Sequence, residues 1–119
     1  MKSAIVTVVL AFLFLAGCKS SEESIFYWGD YSETLYDLKH EPNDSTLATH
    51  QSQLFLIIST APEEGKKIPP GVCAEYGYLL LKNGSKEEGV KYLDQEVSLY
   101  PESETFIKRL KHEYSRNDQ

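Results

Sequence analysis

Histidines, cysteines and paired carboxylates are the residue types in this chain that could take part in catalysis or bind a metal. The three histidines, His40, His50 and His112, do not stand at metal-site spacings such as His-x-x-His or a Cys/His pair. The pairs Glu63-Glu64 and Glu87-Glu88 suit solvated turns or helix starts, where the helix dipole favours a carboxylate. The sequence also lacks a glycine-rich phosphate loop. It therefore predicts a non-catalytic protein with no cofactor and no metal.

One cysteine stands where a different chemistry is expected, at the end of an apolar run. Lys2 precedes the apolar segment 4–15, which is shorter than the about 20 residues that span a bilayer and is typical of a signal peptide. Residues 15–18 read Leu-Ala-Gly-Cys and resemble the bacterial lipobox, in which the cysteine thiol takes up a diacylglycerol. The resemblance implies that residues 1–17 are removed and that the mature chain begins at a lipidated Cys18. A secretory signal with a chance cysteine is the alternative.

A polar tether follows the cysteine. Residue 19 is Lys rather than Asp, which in the sorting of Gram-negative lipoproteins implies the outer membrane, on its periplasmic face. Residues 18–24 form the lipidated cysteine and its tether, and the six residues after Cys18 reach about 20 Å when fully extended. The folded part is therefore expected to lie close to the bilayer.

Length and charge restrict the classes of partner. The net charge of −6 becomes −7 without residues 1–17, which contain one lysine and no acidic residue. Such a chain repels phosphate backbones and anionic lipid heads, so we expect no nucleic-acid binding and a membrane attachment that depends on the lipid. With Cys18 modified, Cys73 has no partner in the chain. Its apolar neighbours favour burial over a bond to another chain.

Apolar spacing predicts about five helices between three proline-containing breaks, at 40–43, 61–71 and 100–101. The periodic apolar residues are Tyr31, Leu35 and Leu38, then Leu47, Leu54 and Ile58, then the segment 72–82, then Val90, Leu93 and Val97, then Phe106, Leu110 and Tyr114. Residues 54–58 alone could also form a buried strand. We expect an all-α domain of antiparallel helix pairs over residues 25–116, with a tail at 117–119.

Several residues are expected to begin or end these helices. Residues 44–46 offer N-caps for the second helix, and Gly84 is the expected C-terminal cap of the third. Ser85 and Glu88 match a capping box at the start of the fourth helix, and Ser103 can cap the last helix.

Residues 70–101 match positions 1 to 32 of one degenerate tetratricopeptide repeat, whose full length is 34 residues. The two helices of such a repeat cross closely, so two positions must be small, while larger apolar residues fill the space between repeats. The matching positions are Gly77 and Gly89 (small), Leu80 and Leu93 (large) and Pro101 (closing). The departures are Cys73, Tyr76 and Glu96, where an aromatic, a leucine and an alanine are usual. An unrelated helical hairpin is the alternative.

Three further motifs carry a family resemblance: residues 26–31 (FYWGDY), residues 69–78 (PPGVCAEYGY) and Tyr100-Pro101-Glu102-Ser103 followed by Phe106. With the lipobox, they resemble a family of small bacterial lipoproteins of unknown function with tetratricopeptide-like helices. The resemblance implies a lipid-anchored protein of the outer membrane. It also implies association with two other lipoproteins, one of them similar to the curli secretion channel subunit.

The aromatic residues after the tether are the best functional candidates from the sequence, although they could equally pack the first helix onto the core. One hypothesis is a membrane-tethered adaptor that binds another envelope protein. The alternative is a periplasmic binder of a small ligand or cell-wall fragment through an aromatic platform. The residues expected to contact a partner are Trp28, Tyr31, Leu35, Tyr76 and Leu80.

Overall fold

The computed structural model describes Met1 and residues 23–117. The described part is all-α and contains five α-helices: α1 (Tyr31–His40), α2 (Asp44–Glu63), α3 (Val72–Lys82), α4 (Lys86–Leu99) and α5 (Glu104–Asn117). A short 3₁₀ helix (Pro101–Ser103) joins α4 to α5. The expected all-α fold is confirmed, and the segment that could have been a strand lies inside α2. The expected cleavage site, Cys18 and most of the tether lie outside the described residues.

The helices stack in chain order. α1 packs on α2, α2 on α3, α3 on α4 and α4 on α5. Among the described residues, no helix has the length and apolar composition needed to cross a bilayer. The segment before α1 lies beside the α2–α3 loop, where the backbones of Tyr27 and Ile25 hydrogen-bond to that of Lys67.

Asn43, rather than a residue of 44–46, caps α2. Its Oδ1 accepts hydrogen bonds from the backbone N–H groups of Ser45 (2.9 Å) and Thr46 (3.0 Å). The Thr46 hydroxyl oxygen accepts in return from the backbone N–H of Asn43, which completes a capping box. The expected cap was therefore wrong by one residue, because Asn43 is extended while Asp44 is already helical.

α2 also continues two residues beyond Ala61, where the sequence predicts a break. Pro62 lies in its last turn. The helix ends at a Schellman motif: Gly65 has φ +64°, and the N–H of Lys66 donates to the carbonyl of Ala61.

The same motif ends α3 and explains why the predicted capping box of α4 does not form. Gly84 has φ +84°, as expected of this cap, and the Ser85 N–H donates to the Leu80 carbonyl at 2.9 Å. That N–H is therefore not available to the Glu88 side chain. Ser85 is the N-cap residue of α4, but its side chain makes no capping hydrogen bond.

The glycines of the α3–α4 hairpin meet as the repeat pattern predicts. A Cβ added at Gly77 would lie 2.7 Å from the backbone oxygen of Gly89, and one added at Gly89 would lie 2.8 Å from that of Gly77. Only glycine allows this approach, because each contact is with backbone that cannot rotate away. Leu93 fills the space beside them and is fully buried.

Two apolar clusters form the core. The first joins α2 to α3, and its members are Leu54, Ile57, Ile58, Ala61, Ile68, Val72, Cys73, Tyr76 and Leu80. The second joins α3, α4 and α5, and its members are Ala74, Leu81, Leu93 and Ile107. α3 supplies residues to both clusters, so it is the central helix of the stack.

Candidate functional site: a hydrogen-bonded network beside an apolar groove

The residues that the sequence predicts for partner contact differ in how exposed they are. Trp28 is 42% exposed, and Tyr31 and Leu35 are half-buried near the start of the stack. Tyr76 and Leu80 instead lie in the first core cluster. They therefore do not belong to an exposed contact surface in this structure.

Part of the predicted aromatic group forms a continuous row, which we call the aromatic row: Phe26, Trp28 and Tyr31. The ring centroids of Phe26 and Trp28 are 6.5 Å apart, and those of Trp28 and Tyr31 are 5.5 Å apart. Such tilted arrangements are favourable for aromatic pairs. Tyr36 is not part of the row, because its ring stacks on His40 within α1.

The row ends at a hydrogen-bonded network that joins α1, α2 and α3. The Tyr31 hydroxyl donates to Glu75 Oε2 at 2.9 Å. His50, which is fully buried, places Nε2 3.0 Å from Glu75 Oε1 and Nδ1 2.8 Å from the Thr34 hydroxyl. The His50 ring thus bridges Glu75 and Thr34, and its tautomer decides which ring nitrogen donates and which accepts. We call these four residues the Glu75 network.

The Glu75 network changes the acidity of Tyr31. Burial, together with the hydrogen bond to Glu75 and the charge of that carboxylate, raises the pKa of Tyr31 to about 12. The phenol therefore keeps its proton further into alkaline solution than an ordinary tyrosine does, and it donates that proton in the hydrogen bond to Glu75.

Thr34, His50 and Glu75 are the residue types of a nucleophilic triad, so their surroundings decide what they can do. Thr34 Oγ1 lies 3.2 Å from the carbonyl oxygens of both Asp30 and Tyr31 as well as 2.8 Å from His50. Three polar neighbours thus surround this hydroxyl on the side of a helix. The contact with His50 links α1 to α2, and the two carbonyl contacts hold the hydroxyl against its own helix.

An apolar groove of about 570 Å³ lies between α3 and α5. Phe106 (60% exposed) and Tyr78 (38% exposed) are its most accessible aromatic side chains. Its lining residues are Gly71, Ala74, Glu75, Tyr78 and Lys82 from the α3 side and Phe106, Leu110, Glu113 and Tyr114 from α5. They recur at intervals of three or four, so each helix presents one continuous stripe to the groove. Glu75 belongs both to this groove and to the Glu75 network.

Sequence reasoning missed both the network and the groove. His50 and Glu75 are 25 residues apart, and no spacing rule connects them. The periodicity of Phe106, Leu110 and Tyr114 predicts an apolar face on the last helix. It does not predict that part of this face remains uncovered by other helices. Sequence spacing likewise does not show that Glu75 lies between the groove and the buried His50.

Cys73 is buried in the first core cluster, as its apolar neighbours predict. Burial, and to a lesser extent the charge of Glu96, raises the pKa of its thiol to about 12. The reactive thiolate is therefore scarce at neutral pH. Within the described part of the chain, no group of three or more His, Cys, Asp or Glu residues could hold a metal ion.

Comparison with known proteins gives one assignment. Neither a curated protein nor a solved structure matches the chain. A family model described as a domain of unknown function (DUF4810) matches residues 25–110. That range runs from the aromatic row to Leu110 in the groove and includes the Glu75 network. The chain therefore belongs to the DUF4810 family.

Proposed function

We propose that this protein is a non-catalytic adaptor of the cell envelope. In this proposal, a lipid on Cys18 anchors it to the periplasmic face of the outer membrane, and the groove between α3 and α5 binds a segment of another envelope lipoprotein. The observation that carries the proposal is the groove itself, with Phe106 60% exposed beside Tyr78, Leu110 and Tyr114.

Large apolar side chains that stay exposed beside one another favour a contact surface. Phe106 contributes nothing to either core cluster among the residues described, whereas the next residue, Ile107, is buried in the second. The two helical stripes form an open trough, which suits an extended or helical segment with apolar anchors three or four residues apart.

Anchoring is supported by the sequence. The Leu-Ala-Gly-Cys motif favours lipidation of Cys18, and Lys19 favours the outer membrane. The aromatic row follows the tether closely, so in this proposal the α1 end of the stack faces the bilayer. The expectation of a partner similar to the curli secretion channel subunit rests on the family resemblance.

The test is photo-crosslinking in living cells with the full-length lipoprotein. A photoreactive residue is placed at Phe106, in the groove, and separately at Ser98, which is exposed on α4. We expect a covalent adduct to one or two lipid-modified proteins from position 106 and none from position 98. Equal adducts from both positions, or none from 106, would contradict the groove as the contact surface. Loss of palmitate labelling in Cys18→Ser tests the anchor separately.

A periplasmic ligand binder is the second candidate, because about 570 Å³ lies within the range of small-molecule sites. The carboxylate of Glu75 and the rings of Tyr78 and Phe106, all of which line the groove, would orient a small ligand or cell-wall fragment. In the same experiment, this candidate is favoured if position 106 gains only a small-molecule mass.

A further inference from the structure

We infer that Glu75 determines the specificity of the groove, and that the groove accepts a protein segment in which a Lys or Arg side chain stands beside an apolar one. The apolar side chain would contact Tyr78, Phe106 and Leu110, and the cationic group would pair with Glu75. This inference rests on the proposed role of the groove as a contact surface and adds the chemistry of its occupant.

The Glu75 carboxylate is held in place before any partner binds. The Tyr31 hydroxyl from α1 bonds to one of its oxygens, and the His50 ring from α2 lies within hydrogen-bond distance of the other. A group that is already oriented loses little conformational entropy on binding. A surface carboxylate on a mobile side chain lacks this advantage.

The carboxylate also keeps capacity for a partner. Its side chain is 32% exposed, and an ionised carboxylate has about four acceptor sites, of which the network uses two. Among the described residues, no lysine or arginine forms an ion pair with Glu75. The ionic contact of Glu75 is with the His50 ring at 3.0 Å, and the described lysine pairs join Lys66 to Glu23, Lys108 to Glu104 and Lys111 to Asp94.

Lys82, the lysine that lines the groove, lies over a different group. Its ammonium is 5.8 Å from the centroid of the Tyr78 ring. This contact shows that an aromatic face of the groove can hold a cation.

The surroundings of Glu75 select a cation with an apolar body. Tyr31 contacts Glu75 on one side, and the apolar stripes of the groove continue from it on the other. Aromatic rings and a carboxylate together attract an ammonium or guanidinium group, and the apolar lining excludes one that is fully hydrated. The net charge of −6 further favours the approach of cations.

The test compares two probes with the same aromatic body, one with a cationic and one with a neutral polar head group. 2-Phenylethylammonium carries an aromatic ring and a cation, and 2-phenylethanol is its neutral counterpart. The full-length chain in lipid nanodiscs is titrated with each probe and followed by saturation-transfer NMR, with empty nanodiscs as the blank. We expect wild type to bind the ammonium about tenfold more tightly than the alcohol, as a charge-assisted hydrogen bond predicts.

Glu75→Gln keeps the size of the side chain and removes its charge, so we expect the preference for the ammonium to disappear while binding of the alcohol is unchanged. Glu33→Gln makes the same change of charge on the exposed surface of α1 and should keep the preference. Tyr31→Phe keeps the charge but removes one orienting bond, and should reduce the preference partly.

Equal binding of the two probes to wild type, no binding of either, or an unchanged preference in Glu75→Gln would overturn the inference. An equal loss in Glu33→Gln would also overturn it, because net charge would then explain the effect. If crosslinks from Phe106 form but the probes show no preference, the adaptor stands and this inference fails. If the preference is found but no protein is crosslinked, the adaptor fails and a small cationic ligand becomes the occupant.

Discussion

At the scale of single residues, Glu96 shows how a departure from a pattern can have a structural purpose. The repeat pattern expects alanine at this position, yet Glu96 is 2% exposed inside the stack. Its carboxylate accepts hydrogen bonds from the backbone N–H groups of Gly71 (2.7 Å) and Ala74 (3.2 Å) at the start of α3. Gly71 has no side chain to cap that helix, so a carboxylate from α4 does so.

We predict that Glu96→Ala lowers the free energy of unfolding by about 2–5 kcal/mol, because the buried N–H of Ala74 and the part-buried N–H of Gly71 lose their acceptor. Glu96→Gln keeps one acceptor oxygen and should lose less. Urea denaturation followed by circular dichroism at 222 nm measures both. The control is Glu102→Ala, an exposed carboxylate. A loss in Glu96→Ala no larger than in this control would show that the cap contributes nothing.

The acidity of Tyr31 gives a prediction in alkaline solution. Its pKa rises from 10.0 to about 12 in the folded protein, so the native state holds the phenolic proton more tightly than the unfolded chain does. This contribution to stability is complete below pH 10 and is lost as the pH rises from 10 to 12. The Tyr31→Phe variant has no ionisable group at position 31, so it lacks this pH-dependent contribution.

The difference in unfolding free energy between wild type and Tyr31→Phe should therefore shrink from pH 9 to pH 11. Urea titrations at the two pH values measure it, and other tyrosines cancel because both proteins contain them. A constant difference for Tyr31→Phe would contradict the assigned environment.

At the scale of helices, the α3–α4 hairpin depends on the absence of two side chains. Alanine is a better helix former than glycine by about 1 kcal/mol, so Gly→Ala in a helix normally stabilises. Here the added methyl would lie 2.7–2.8 Å from the backbone of the facing helix. The close contact should outweigh the gain in helix propensity.

Gly77→Ala and Gly89→Ala are each predicted to destabilise the protein by about 1–3 kcal/mol, as overpacking does. Urea denaturation midpoints of each variant and of wild type show whether stability falls or rises, and this direction tests the prediction. Ser98→Ala, at an exposed position of α4, should be neutral or slightly stabilising. A stabilised Gly77→Ala would mean that the helices do not approach as closely as the structure indicates.

At the scale of the whole molecule, α3 couples the two ends of the stack. Its residues belong to both core clusters, with Leu80 in the first and Leu81 in the second. If α3 leaves one cluster, the residues of the other cluster are exposed as well. The described helices are therefore expected to unfold as one unit.

Trp28, the single tryptophan, reports on this coupling because it lies at the opposite end of the stack from Leu93. Leu93→Ala should lower stability by about 2–5 kcal/mol through the cavity it creates. The midpoint of Trp28 fluorescence should fall together with that of circular dichroism at 222 nm. Two separate transitions would show that the clusters unfold independently.

The sequence by itself determined the features that depend on neighbouring residues. Gly84 could be identified as a helix end because a backbone with positive φ favours glycine wherever it occurs. Gly77 and Gly89 could be paired because the 34-residue repeat carries their spacing. The five helices followed from periodicity and from proline, both of which act within a few residues.

Tertiary structure decided the features that depend on which helix faces meet. The Ser85 N–H bonds to the C-terminal end of α3, so it cannot take part in the predicted capping box. Tyr76 and Leu80 lie in the core, although the sequence had suggested that they form an exposed contact face. The Glu75 network and the Glu96 cap join residues 16 to 44 apart. Apolar periodicity predicts that a helix has an apolar face, but whether that face is covered or left as a groove depends on where the next helix ends.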